Sequence, residues 1–199
     1  MNNNLSVASI MVCAEPVYVN NRMIVSCCDA VWRPVENLPI EFNGYFTDEF
    51  GNKNVDYGGF LQMVNVDALK LIEKNSLYAC FRCIDKNLID YVQVCPPKLI
   101  YQGVQGNLKL IGWDIATGNG WLSASCHGCF PIDPFTGDAL DENADKINKF
   151  GLFSSFDDCL VYCQKNNLQI PEHAPWYPVA ICLDLSSFNR LVEKFKELN

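Results

Sequence analysis

Short runs of β-branched and aromatic residues recur along this chain of 199 residues, and Gly, Asn, Asp or Pro separates most of them. Such runs are typical of strands, and the residues between them are typical of turns. They predict strands at 5–14, 76–84, 88–94, 108–115, 121–126 and 179–185. A hairpin turn is expected at Asn20-Asn21, between two such runs, because Asn tolerates a positive φ. The stretch IPEHAPWYP is expected to interrupt regular secondary structure before the last strand.

Three segments show helical signals instead. The first predicted helix spans 66–75, where Asn65 can serve as the N-cap. The second spans 156–166 after Ser155, which is also a good N-cap residue. One face of this second helix is formed by Phe156, Cys159, Leu160 and Cys163. The third spans 186–199, and its apolar stripe consists of Phe188, Leu191, Val192, Phe195 and Leu198.

Together these elements predict an α+β fold, in which a mostly antiparallel sheet is covered by a few helices. The chain is 49% hydrophobic, which is enough for a sizeable core at this length. Internal repeats, low-complexity linkers and breaks in composition would mark a domain boundary, and the sequence contains none of them. We therefore expect a single compact domain over residues 1–199.

The charge balance indicates which partners the chain can attract. It has 15 Lys and Arg against 23 Asp and Glu, a formal charge of -8. A negative field repels phosphate backbones and anionic membrane surfaces, so nucleic acid and membranes are not expected as partners. A basic partner would be attracted instead.

The N-terminal segment bears on the expected compartment. The apolar run at 5–14 has no Lys or Arg before it, because the first cation is Arg22. A secretory signal normally begins with such a charge. No apolar run approaches the roughly 20 residues that cross a bilayer. These features favour a soluble, cytoplasmic protein.

The eleven cysteines are consistent with that compartment. Their number is odd, and they lie inside apolar runs, whereas the cysteines of a secreted disulfide framework punctuate loops. Buried free thiols behave as small hydrophobic side chains. Core positions are expected for Cys27, Cys28, Cys80, Cys95, Cys159, Cys163 and Cys182.

Two Cys-x-x-Cys pairs raise the possibility of a zinc site. They are Cys80/Cys83 and Cys126/Cys129, and 42 residues, 84–125, separate them. This separation is long for a zinc ribbon. Strand alternation would also direct Cys80 and Cys83 to opposite faces of the sheet. We expect reduced, metal-free thiols, with a zinc-stabilised structural module as an alternative.

The second pair, in the sequence CHGC, also permits thiol chemistry. A low-pKa redox thiol usually lies at a helix N-terminus, but two prolines follow Cys129 within five residues. A Cys-His hydrolase would pair Cys126 or Cys129 with His173, and this alternative stays open because the sequence does not show their proximity. In the simplest interpretation CHGC turns the chain after a strand, with Gly128 permitting the bend.

An acidic segment lies between the predicted strands and the second helix. Its carboxylates belong to Asp133, Asp138, Asp141, Glu142 and Asp145. Their spacing does not match the calcium-binding loop of an EF-hand. The segment is therefore either a solvated loop or a negative patch that meets a basic protein surface and accelerates the encounter.

Three short motifs in the C-terminal half resemble small bacterial immunity proteins of toxin–immunity pairs. The first is Gly112-Trp113-Asp114 in a strand, and the second is Gly151-Leu152-Phe153 before a helix. The third is PEHAPW, at 171–176. The resemblance implies a cytoplasmic protein that binds and blocks one cognate toxin, often a basic nuclease. We therefore expect a protein that acts by stoichiometric binding and not as an enzyme, and no feature of the sequence requires a cofactor.

On this interpretation the partner-binding residues would be the five acidic residues of the segment together with Trp113, Asp114 and Trp121. Buried aromatic anchors would set the lifetime of a complex, and the acidic residues would set its rate of formation. Trp113, Trp121 and Trp176 could equally belong to the core.

Overall fold

The strands and helices of the protein come from a computed structural model. It describes residues 5–19, 22–25, 32–33, 46–47, 62–63, 69–88, 107–117, 122–123, 143, 145–169, 171 and 174–198. The strands in this part of the chain are β1 (Leu5–Cys13), β2 (Glu15–Val19), β3 (Arg22–Ile24), β4 (Trp32–Arg33), β5 (Phe46–Thr47), β6 (Gln62–Met63), β7 (Tyr78–Asp85), β8 (Leu108–Thr117), β9 (Leu122–Ser123) and β10 (Trp176–Asp184). The helices are α1 (Leu69–Lys74), α2 (Phe156–Gln169) and α3 (Leu185–Glu197), and a short 3-10 turn spans Lys86–Leu88.

Seven strands form the main sheet, in the order β5-β6-β1-β7-β10-β8-β9, and β3-β2-β4 form a smaller sheet. Every strand pairing among the described residues is antiparallel. The predicted α+β class, with a mostly antiparallel sheet covered by a few helices, is confirmed.

The core is centred on β7 and β10, which lie side by side in the middle of the main sheet. Both strands are buried along nearly their whole length. Successive side chains of a strand point to opposite faces, so continuous burial means that both faces of the sheet are covered.

The two long helices contact different faces of the sheet. In α2, the Phe156 ring lies 5.0 Å from the Trp113 ring in an edge-on arrangement. In α3, the Arg190 guanidinium lies over the ring of Tyr78. Trp113 pairs with Ala180, and Ala180 pairs with Cys83, so these three residues share a face. Tyr78 is five residues from Cys83 and therefore lies on the other face.

Several element boundaries differ from the prediction. Strand β10 begins at Trp176, inside the stretch predicted to be a break, and so includes Pro178. A proline in a strand has no N–H to donate. The pairing of β10 with β7 covers only 180–183, so Pro178 lies where β10 pairs with β8 alone among the described residues. The missing donor therefore costs no hydrogen bond to β7.

The predicted helices are present, with shifted ends. Helix α2 runs three residues further than expected, and α3 begins one residue earlier, after Asp184. Leu198 is past the end of α3 and is 45% exposed, so its predicted place in the apolar stripe is wrong. Helix α1 is described over Leu69–Lys74. Three predicted features lie outside the described residues. They are the Asn65 cap of α1, the part of the 88–94 strand beyond Leu88, and the turn at Asn20-Asn21.

Candidate functional site

A turn at 145–153 joins the acidic segment to the main sheet. Its last residue forms an antiparallel bridge with Trp113 of β8. The Trp113 amide donates to the Phe153 carbonyl at 2.9 Å, and the Phe153 amide donates to the Trp113 carbonyl at 2.9 Å. The turn therefore extends the sheet beside β8 and has a defined position on it.

Asn148 holds this turn in place. Its Nδ2 donates to the Ile111 carbonyl of β8 at 2.8 Å, while its Oδ1 accepts from the Phe150 amide at 2.9 Å. One amide side chain thus satisfies backbone groups on both the turn and the strand. Its partner Ile111 lies at a register shift between β8 and β10, because Gly112 pairs with Ile181 and Leu110 pairs with Cys182.

Gly112 permits the close approach of turn and strand. A Cβ at this position would lie 2.6 Å from the Leu152 Cβ and 2.8 Å from the Asn148 Nδ2. Real Cβ atoms essentially never approach other atoms below 3.0 Å. Gly151 within the turn has φ of 71°, a left-handed conformation that favours glycine. Gly112 and Gly151 thus both have a role in the backbone geometry of this site.

The helix that follows the turn is fixed at both ends. At its start, the Asp158 amide donates to Ser155 Oγ at 3.1 Å, so Ser155 is the N-cap that the sequence predicts. Near its end, Asn167 Oδ1 accepts from the Trp176 amide at 2.6 Å, and Asn167 Nδ2 donates to the Trp176 carbonyl at 3.2 Å. The three motifs therefore converge on β8, the 145–153 turn and α2.

The predicted partner-binding residues divide into two groups. Asp145 is exposed, at the start of the anchored turn. Trp113 and Asp114 are 5% and 6% exposed. Both belong to the packed interior, so neither side chain can contact a partner directly in this conformation. The remaining members of the predicted set, Asp133, Asp138, Asp141, Glu142 and Trp121, lie outside the described residues.

Charge is distributed unevenly along the chain. No Lys or Arg lies between Lys109 and Lys146, whereas that stretch contains six acidic residues, five of them within 133–145. The sequence thus concentrates negative charge immediately before the rest of the 145–153 turn.

The structure also shows where two of the Cys-x-x-Cys thiols lie. Cys80 pairs with Leu183 and Cys83 with Ala180, so the two thiols are on opposite faces of the sheet, as predicted. This arrangement argues against both of them binding one metal ion. All six described cysteines are buried and free.

Cys80 and Cys83 are poorly suited to act as nucleophiles. Burial raises the pKa of Cys80 to about 12, with Arg82 acting in the opposite direction. A hydrogen bond with Cys182, followed by burial, raises the pKa of Cys83. A thiol is a nucleophile as its thiolate, so both are inert near neutral pH. Cys126, Cys129 and His173, which the hydrolase alternative needs, lie outside the described residues.

Two buried charged residues were not anticipated from the sequence. Arg82 of β7 and Asp114 of β8 are both buried, and the strand register places them on the face that carries Cys80. Arg82 lowers the pKa of Cys80 while Asp114 raises it, so opposite charges lie near the same thiol. Opposite charges within a core reduce the cost of burying either one.

Within the part of the chain that the structure describes, no three His, Cys, Asp or Glu residues are grouped so that they could hold a metal ion. The described helices include none with the length and apolar character needed to span a bilayer. Comparisons with protein-family models, with curated proteins and with solved structures gave no match for this chain.

Proposed function

We propose that this chain is a cytoplasmic immunity protein that neutralises a cognate basic protein toxin by stoichiometric binding. The observation that carries the proposal is the concentration of negative charge in a chain of formal charge -8: residues 133–145 contain five carboxylates and no Lys or Arg. A concentrated negative charge attracts a basic protein over a distance of about 10 Å at moderate salt. Binding to such a partner requires neither a cofactor nor a catalytic group.

The 145–153 turn supports a role for the acidic segment in this binding. Asp145 is the last of the five acidic residues, and the turn that it begins is fixed to β8 through Asn148 and Phe153. The C-terminal end of the segment is therefore held at a definite place beside the sheet. Asp145, the described member of the segment, is exposed there and can meet a partner.

The test measures association with the purified product of the gene immediately upstream, which is where the partner of an immunity protein is expected. One variant carries Asp133→Asn, Asp138→Asn and Asp141→Asn. The matched control carries Glu73→Gln, Glu193→Gln and Glu197→Gln, three exposed carboxylates of the described body. Both variants lose three negative charges, at different places in the chain.

We expect the segment variant to associate more slowly and with a weaker dependence on salt, and the control to stay closer to the wild type. Equal slowing in both would show that only the overall charge matters and that the segment is not a contact. Failure of the wild-type protein to bind, or to protect cells that express the upstream gene product, would overturn the proposed function.

A further inference from the structure

The tip of the 145–153 turn is bonded to the small sheet as well as to β8. The Met23 amide donates to the Lys149 carbonyl at 3.0 Å, and the Val25 amide donates to the Phe150 carbonyl at 3.0 Å. Met23 lies in β3, the edge strand of the small sheet among the described strands, and Val25 follows that strand. Amides two residues apart in a strand point to the same side, so the turn lies along the edge of β3 that faces away from β2.

The side chains at this junction fix the tip further. Met23 and Val25 are each 1% exposed, and Phe150 is also buried. The Lys149 ammonium lies 4.7 Å from the centre of the Phe195 ring, so the tip contacts α3 too. The tip is therefore held by backbone bonds, by buried side chains and by a cation–π contact.

Asn148 joins the contact with β8 to the contact with β3. It stands directly before Lys149, and its Nδ2 donates to the Ile111 carbonyl of β8. Its Oδ1 accepts from the Phe150 amide, and its carbonyl accepts from the Gly151 amide at 3.0 Å. Because these bonds lie within four consecutive residues of the turn, a shift away from β8 must also move the two carbonyls that accept from the small sheet.

The base of the turn is bonded next to the exposed end of the acidic segment. Asp145 is exposed, and the carbonyl of the next residue, Lys146, accepts from the Ser154 amide at 2.9 Å. Ser154 follows Phe153, whose amide and carbonyl both bond to β8. A group that binds Asp145 while the turn is in place therefore favours this arrangement over any in which the turn has left the sheet.

We propose that the 145–153 turn is a clasp that leaves both sheets together, so that a partner bound at Asp145 also stabilises the attachment of the small sheet. The second half of this inference rests on the proposed function. A ligand shifts an equilibrium toward the state that it binds more tightly. In the closed state the Met23 and Val25 amides are hydrogen-bonded to the turn, so their exchange with solvent reports whether the clasp has opened.

The first experiment measures amide hydrogen exchange in the free protein. Asn148→Asp removes the donor to the Ile111 carbonyl and keeps an oxygen that can accept from the Phe150 amide, so it weakens the contact with β8 alone. Gly112→Ala is a second variant, because it crowds the same contact from the side of β8. The control is Ser187→Ala, which loses a hydrogen bond between α3 and β7 and leaves the turn unchanged.

We expect the Met23 and Val25 amides to exchange at least ~10-fold faster in the turn variants than in the control, together with those of Trp113 and Phe153. Faster exchange at Trp113 and Phe153 alone would overturn the clasp, because the turn would then leave β8 without leaving β3. Unchanged exchange at all four amides would overturn it as well.

The second experiment repeats the measurement on the wild-type chain saturated with the purified product of the upstream gene. We expect exchange at Met23 and Val25 to be at least ~10-fold slower than in the free chain. Binding without such slowing would overturn the coupling to the partner and leave the proposed function standing. No binding would overturn the proposed function and the coupling together, and the free-protein comparison would still decide whether the turn opens as a clasp.

Discussion

The two long helices are attached to the same sheet through different kinds of side chain. Helix α3 buries Leu191 completely. Helix α2 buries the smaller Cys159 and Cys163, packs Phe156 against the core and leaves Leu168 in solvent. Apolar burial thus attaches both helices, through a large aliphatic side chain in α3 and through small thiols and an aromatic ring in α2.

The two helices also differ in how their first turns contact the sheet. Asp184 caps α3 by accepting from the Ser187 amide at 2.9 Å, and the Ser187 Oγ accepts from the Ala79 amide of β7 at 3.2 Å. Helix α3 is therefore bonded directly to a central strand. Near the start of α2 the Cys159 thiol donates to the Asp114 carbonyl of β8 at 3.3 Å, and the 145–153 turn also bonds to β8 in front of the Ser155 cap.

The largest effect is expected from Leu191→Ala. Leu191 is fully buried, and removing a buried leucine side chain costs about 2–5 kcal/mol, from lost burial and from the cavity left behind. Urea unfolding measures this as a lower midpoint with little change in slope. A loss below about 1 kcal/mol would contradict the view that apolar burial attaches α3 to the sheet.

The next effect tests the attachment of α2. Gly112→Ala places a Cβ 2.6 Å from that of Leu152, so the 145–153 turn must move away from β8. Overpacking of this kind costs about 1–3 kcal/mol. The measurement is thermal unfolding, together with amide hydrogen exchange at Trp113 and Phe153. Each of these two amides donates to the carbonyl of the other residue. Unchanged protection of these two amides would show that the turn is not fixed by this contact.

The two caps give a matched pair of smaller effects. Ser187→Ala leaves the buried Ala79 amide without the Ser187 hydroxyl, a loss of about 1–3 kcal/mol. Ser155→Ala removes a cap of the ordinary kind and costs about 1 kcal/mol. Unfolding by urea compares the two variants directly. A larger loss from Ser155→Ala would reverse the order and show that α2, not α3, depends more on its first turn.

Local sequence patterns predicted the element types well, because they depend on residues close together in the chain. The stripe of α3 was visible from the spacing of Phe188, Leu191 and Phe195, and the Ser155 cap from its position before an acidic turn. Strand β10 was predicted three residues short, since prolines usually end strands. Pro178 is tolerated in β10 because, among the described residues, only β8 pairs with the strand at that position. The sequence of β10 alone does not indicate which strands lie beside it.

The candidate site was less predictable, because it depends on contacts between distant segments. Asn148 bonds to Ile111, 37 residues away, and nothing in the NKFGLF sequence indicates that partner. Whether Trp113 and Arg82 lie at the surface or in the core depends on the elements packed beside them, and their own segments do not indicate those elements. Leu168 lies beyond the predicted helix at 156–166, so its exposed position on α2 was not predicted.

The smallest effect is expected from Leu168→Ala, which makes the same chemical change as Leu191→Ala in the other helix. Leu168 is 85% exposed, so the substitution removes almost no buried surface and leaves no cavity. Ala is also the better helix former by a small margin. We therefore expect the free energy of unfolding to stay within about 0.5 kcal/mol of the wild-type value, measured in urea with an unchanged slope. A loss comparable to that of Leu191→Ala would mean that Leu168 is packed against the rest of the chain in solution. The contrast between Leu168 and Leu191 would then fail.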